Sequence, residues 1–158
     1  MIINNYRSMT SVKLRRFILS VIFMLLVILP LMTNLFDFFE NSEYFIPIVA
    51  GFLFILFYLY EYFLNYYYIY YNDEGPKIII RFYSMRIFQG LKKAVEIPKN
   101  SLVKFEIETS FLKKKKLLFL YQQHKNEVIK YPYISITLLK KTDVNLLNKS
   151  LSRFVEKS

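Results

Sequence analysis

The hydrophobic and polar positions of this chain fall into three regimes. From Phe17 to Phe36 the sequence reads FILSVIFMLLVILPLMTNLF, and from Tyr44 to Tyr60 it reads YFIPIVAGFLFILFYLY, both without a charge. The second pattern continues past Glu61 to Leu64. Each block is roughly 20 residues, the length that spans a bilayer core. Neither carries a polar stripe at helical spacing, and a helix that is apolar all round belongs in lipid or deep in a large core. A chain of 158 residues has no core large enough to hide two such helices. The pattern predicts transmembrane helices over about 16–34 and 44–64, joined by an outward loop at 34–43 and therefore antiparallel. A cleaved signal peptide is the competing reading of the first block, but the run is longer than a usual h-region and no small-x-small site follows it. Pro30 would kink or end the first helix, and Pro47 sits in the first turn of the second, where its missing N–H costs little.

From about Asn65 the pattern changes to short strands. Tyr66–Tyr71 is a run of β-formers closed by the turn cluster Asn72-Asp73-Glu74-Gly75-Pro76. Lys77–Tyr83, Arg86–Gln89 and Ala94–Ile97 follow. Leu102–Glu108 alternates, with Val103, Phe105 and Ile107 expected on the buried face and Lys104, Glu106 and Glu108 opposite. Leu117–Gln123, Glu127–Lys130 and Tyr133–Leu139 are the remaining strands. The period then becomes helical: Val144, Leu147, Leu151 and Phe154 share one face of a helix over about 143–157, with Thr142 or Asp143 as its cap.

Charge supplies orientation. Arg7, Lys13, Arg15 and Arg16 precede the first apolar block, Asp37, Glu40 and Glu43 lie between the blocks, and residues 66–158 hold 18 Lys and Arg against 8 acids. Lys and Arg are kept on the cytoplasmic side, so both termini are expected in the cytoplasm, on a multi-pass protein of the cytoplasmic membrane. Residues 1–15 then form a basic cytoplasmic N-terminus, 16–64 a transmembrane hairpin and 65–158 a cytoplasmic domain. Arg15, Arg16, Tyr58, Tyr60 and Tyr62 fall at the expected membrane interface, where tyrosines form an aromatic belt. A nucleotide-stacking platform is the alternative for the tyrosines that follow. Glu61 is an acid at the lipid boundary, readable either as a relay group or as a side chain reaching headgroup water.

Candidate chemistry is sparse. The chain has no Cys and one His, which excludes disulfide scaffolds, thiol catalysis and Cys-ligated metal. No GxxxxGK, GxGxxG, HExxH or GxSxG occurs, so no catalytic residue, metal ligand or cofactor is expected and the chain reads as a non-enzyme. Glu106 and Glu108 share a strand face and are readable as a paired-acid site, though a solvated face is the plainer reading. What remains is the net charge of +10, with the run Lys113-Lys114-Lys115-Lys116 and the pair Lys92-Lys93 as candidate contacts for anionic lipid or a protein partner. Nucleic acid is the third choice, since it needs a basic groove and the chain is anchored beside lipid.

The order of strands and final helix resembles the pleckstrin-homology superfold, and with the apolar blocks it resembles bacterial two-helix membrane proteins carrying PH-like domains. The resemblance rests on Glu96-Ile97-Pro98 before Leu102–Glu108 and on the closing YISITLLKKTDVNLLNKSLSRFV. It implies an α+β membrane protein: a transmembrane hairpin, then a small antiparallel β-sandwich or barrel capped by a C-terminal helix. The acidic turn Asn72–Gly75, matched to the first hairpin loop of such domains, argues against inositol-lipid binding there. The functional expectation is a membrane subunit or scaffold docking partner proteins, within a larger complex or a homo-oligomer. An immunity-type protein neutralising a toxin and an oligomeric channel subunit are the alternatives.

Overall fold

Ile2 to Asn4 form a β-strand, although this stretch shows too few residues for a periodicity to be read from sequence. The computed structural model describes residues 1–32, 42–85, 91–110, 113–125 and 127–155. In chain order its elements are β1 (Ile2–Asn4), α1 (Tyr6–Met32), α2 (Ser42–Leu64), β2 (Tyr67–Asn72), β3 (Lys77–Ser84) and β4 (Lys93–Pro98). A 3-10 turn at Lys99–Ser101 leads to β5 (Leu102–Ser110), β6 (Lys115–His124), β7 (Glu127–Lys130), β8 (Ile134–Ser135) and α3 (Lys141–Val155). The expected α+β order of antiparallel strands and a C-terminal helix is present. Most of the expected loop at 34–43 and the expected strand Arg86–Gln89 lie outside the described residues.

The chain divides into two compact units, Met1–Met9 with Leu64–Ser158, and Thr10–Phe63. The first unit holds two antiparallel sheets. One runs β1-β2-β3-β4; in the other, β6 pairs β5 along one edge and β7 and β8 along the other. β1 pairs β2 through Ile3 opposite Tyr71, so strands on either side of the two long helices are neighbours. The turn Asn72–Gly75 therefore joins the second and third strands. Its comparison with a first hairpin loop does not hold, because the connection between the first two strands is the helical segment itself.

Both sheets and α3 share one core. Ile3, Ile69 and Tyr71 join Ile78, Ile80, Phe82, Val95 and Ile97 from the first sheet, Leu102, Leu118, Leu120 and Ile134 from the second, and Leu147 and Leu151 from α3. Alternation selects them: along β3, Ile78, Ile80 and Phe82 are buried while Lys77 and Arg81 are exposed. In β5 the expected phase is wrong at its start. A bulge between Leu102 and Lys104 leaves Val103 unpaired, so Leu102 is fully buried and Val103 is exposed. Phe105 and Ile107 are partly buried against the core. The expected strand Tyr133–Leu139 shortens to β8, although Ile136 still donates its N–H to the Lys116 carbonyl at 2.9 Å. α3 starts earlier than expected: the Val144 N–H donates to the Lys140 carbonyl at 2.9 Å, which places Thr142 and Asp143 in the first turn. There Asp143 complements the positive end of the helix dipole.

Polar groups tie distant segments of this unit together. Asn5 stands before α1, and its carbonyl accepts the Met9 N–H. Its buried side chain turns to β2, donating to the Tyr67 carbonyl at 2.8 Å and accepting the Ile69 N–H at 2.9 Å. Asp73 accepts hydrogen bonds from the Met1 amino group and the Ser150 hydroxyl, and Ser150 lies 2.7 Å from the Tyr71 hydroxyl. Burial pushes the Asp73 carboxyl up, but these two partners outweigh it and hold the group below the ordinary carboxylate range. Asn65, at the end of α2, adopts the left-handed conformation that Asn tolerates at a helix C-terminus.

Two substitutions test this packing by thermal unfolding of the full chain in detergent. Leu151→Ala is expected to cost about 2–5 kcal/mol, the range for a buried leucine, and Asn148→Ala on the exposed side close to nothing. Asn5→Ala strands one buried N–H and one buried carbonyl and is expected to cost about 1–3 kcal/mol. Equal, small effects of Leu151→Ala and Asn148→Ala would show that α3 does not cover the core.

Candidate functional site

Among the described residues the helical unit combines apolar surface with a charged cluster at Glu61. Among the described residues, one helix, Pro47–Leu64, is long and apolar enough to cross a membrane. Within α1 the stretch from Phe17 onward carries no charge. Large apolar side chains stand exposed along both helices, among them Phe17, Ile22, Leu25 and Leu29 of α1 and Ile48, Phe52, Leu56 and Leu59 of α2. The helices are antiparallel neighbours. Arg16 meets Glu61, the Ser20 hydroxyl lies 3.2 Å from that of Tyr58, and the rings of Phe23 and Phe54 stack at 4.2 Å.

Glu61 does not reach out to water. Its carboxylate is buried and accepts hydrogen bonds from both Arg15 and Arg16. Arg15 also lies over the Phe57 ring, 5.8 Å from its centroid. The two arginines, read from sequence only as interface residues, thus neutralise this buried acid. Tyr62 and Tyr58 remain exposed over much of their surface.

The lysine run Lys113–Lys116 is not a continuous loop. Lys113 and Lys114 form the turn between β5 and β6, while Lys115 and Lys116 belong to β6 and pair with Ser110 and Thr109. Lys113 holds φ at 59°, a conformation that costs a Lys about 1 kcal/mol relative to Gly. Lys92 and Lys93 stand at the start of the other sheet's β4, so the two basic stretches belong to different sheets. Of the candidate acid pair, Glu106 is engaged with other side chains. Glu106 accepts the Tyr121 hydroxyl at 2.7 Å and pairs with Lys104 at 2.6 Å, and Lys104 first, then Tyr121, hold its carboxyl below the ordinary range.

The structure assembles a site that sequence reading did not single out. An open groove of about 650 Å³ lies on the outer face of the β1–β4 sheet. Register builds it: Tyr68 stands opposite Tyr83, and Tyr70 opposite Arg81, with Ala94 beyond. Tyr6 and Lys92 complete its walls, and Lys93 lies at its edge. The Tyr68 and Tyr83 rings stack at 4.9 Å, and the Tyr83 hydroxyl contacts the Met9 sulfur at 3.5 Å. Burial, with the Tyr68 and Tyr6 hydroxyls nearby, pushes the Tyr83 hydroxyl above its ordinary value. Among the described residues no acid lines the groove. Among the described residues, Arg81, Lys92 and Lys93 take part in no ion pair, whereas Lys77 on the same face pairs with Glu96 at 3.4 Å. The signal was spread over four elements. Lys92, Lys93 and the tyrosines were visible separately, and Arg81 was hidden inside an apolar run.

Among the described residues no group of three or more His, Asp or Glu is placed to hold a metal ion. No protein-family model, curated protein or solved structure matches the chain.

The Glu61 cluster predicts an asymmetry. Arg15→Ala/Arg16→Ala leaves a buried carboxylate without a cation and is expected to cost about 3–5 kcal/mol in detergent. Glu61→Ala is expected to cost less, because Arg15 is half exposed and turns to water or headgroups. Thermal inactivation of the helical fold, followed by circular dichroism, measures both. A larger loss for Glu61→Ala would show that the acid is not the buried dependent partner.

Proposed function

We propose that this chain is a multi-pass protein of the cytoplasmic membrane, in which a helical hairpin anchors a non-enzymatic, PH-like docking domain on the cytoplasmic side. The observation that carries this reading is the pairing of β1 with β2. These strands flank the whole helical segment and are hydrogen-bonded neighbours, so they lie on one side of any bilayer. The segment between them must then cross an even number of times. If Pro47–Leu64 crosses, α1 is the described helix that returns the chain, and its uncharged stretch from Phe17 suits that task.

The basic residues Arg7, Lys13, Arg15 and Arg16 at the start of α1 favour the cytoplasm for that side. The apolar side chains exposed along both helices need lipid or a partner helix to cover them. Four strands in one sheet, β5 to β7 with the short β8 in the other and a helix closing the core support the PH-like reading. A domain of this kind acts by docking: a subunit or scaffold of a larger membrane assembly or of a homo-oligomer.

The absence of Cys makes topology directly measurable. In intact cells, Asn41→Cys is expected to react with an impermeant thiol reagent and Lys114→Cys to react only after permeabilisation. The chain is expected to stay with the membrane in alkaline carbonate. Labelling of Lys114→Cys with protection of Asn41→Cys would invert the arrangement, and labelling of both from one side would remove the spanning hairpin.

A further inference from the structure

The tyrosine-floored groove on the outer face of the β1–β4 sheet has the composition of a site for an anionic amphiphile. Its aromatic floor offers apolar area with hydroxyls at the rim. Its charged groups, Arg81, Lys92 and Lys93, are all cationic and, among the described residues, not neutralised by an acid. The volume of about 650 Å³ matches the size of small-ligand sites. Covalent reach limits where such a ligand comes from. Tyr68 is four residues beyond Leu64, the end of α2, and four extended residues span at most about 14 Å. Tyr6 lies within α1, four residues before Thr10, or about 6 Å along a helix.

We propose that this groove holds the phosphate-bearing headgroup of an anionic phospholipid, with Arg81 and Lys92 on the phosphate and Tyr68, Tyr70 and Tyr83 against the glycerol and upper acyl chain. This inference rests on the hairpin's insertion in the membrane, which brings headgroups within reach of Tyr6 and Tyr68. Arg supplies a planar fork that matches phosphate oxygens, and Lys a point charge beside it. Each cation near an anionic leaflet favours lipids of net negative charge over zwitterionic ones. The site is distinct from the Lys113–Lys116 run, half of which belongs to β6 in the other sheet.

The test is native mass spectrometry of the full chain in neutral detergent doped with equal amounts of phosphatidylglycerol and phosphatidylcholine. Phosphatidylglycerol adducts are expected to exceed phosphatidylcholine adducts by about tenfold, the effect of one to two cations at an anionic surface. Arg81→Gln/Lys92→Gln is expected to abolish that preference with an unchanged circular dichroism spectrum; should it unfold, Lys92→Gln alone, expected to weaken the preference, serves in its place. A variant with Gln at all four positions of Lys113–Lys116 is expected to keep the preference. Retention of the parent's preference by the groove variant, or its loss in the four-lysine variant, overturns the proposal. Displacement of the lipid by excess inorganic phosphate also overturns it, in favour of a free-anion site. A chain that alkaline carbonate strips from membranes fails at the anchor. A carbonate-resistant chain without lipid preference fails at the groove alone.

Discussion

The pairing of β1 with β2 is the constraint on which the rest of the structure depends. Residues 5–66 separate these strands. Closing a flexible loop of that length costs about 4 kcal/mol by its logarithmic term alone. A three-residue strand with one buried Ile3 offsets roughly 1.5–3 kcal/mol of this through burial. The balance is met because the intervening chain is not flexible. The antiparallel contacts of Arg16 with Glu61, Ser20 with Tyr58 and Phe23 with Phe54 hold its two arms side by side. The antiparallel helices thus bring the strands together.

How much of this was legible in the sequence follows from signal length. Twenty uncharged residues announce a helix, and eight alternating residues announce a strand, so α1, α2, β3 and α3 were visible in outline. β1 was not, because Ile2-Ile3-Asn4 is too short for a period and precedes a basic stretch that reads as a membrane flank. The bulge at Val103 was invisible for another reason. Perfect alternation on paper hides an extra residue that only the partner strand reveals, here through the register of Leu102 with Gln122 and Lys104 with Tyr121. The loop comparison that misplaced Asn72–Gly75 was a direct consequence of missing β1, since it shifted the strand count by one.

The groove illustrates a second limit. Its residues come from the first turn of α1, from β2 and β3, and from the approach to β4. Sequence reading ranked Lys113–Lys116 first because linear density is what a sequence displays. Three-dimensional density depends on register instead: the offset that sets Tyr68 opposite Tyr83 also sets Tyr70 opposite Arg81. A change of one residue in that pairing would send Arg81 to the core face and scatter the site.

Register is not secured by hydrophobicity alone. β3 carries Ile78, Ile79 and Ile80 in succession, and β2 is tyrosine on both faces, so a slipped pairing would still bury apolar surface. The polar ties remove that freedom. Asn5 fits one position, between the Tyr67 carbonyl and the Ile69 N–H. Tyr71 and Ser150 meet over Asp73 only in the observed register, and a slip would turn the Tyr71 hydroxyl outward and leave buried polar groups unpaired at about 1–3 kcal/mol each. In the helical unit Glu61 plays the same part. Rotating α2 by one residue, about 100°, would aim its carboxylate away from Arg15 and Arg16 and into apolar surroundings. Apolar patterning thus gathers each unit, while a few satisfied polar groups, joined across 45 residues or more of sequence, select one arrangement from several of similar burial.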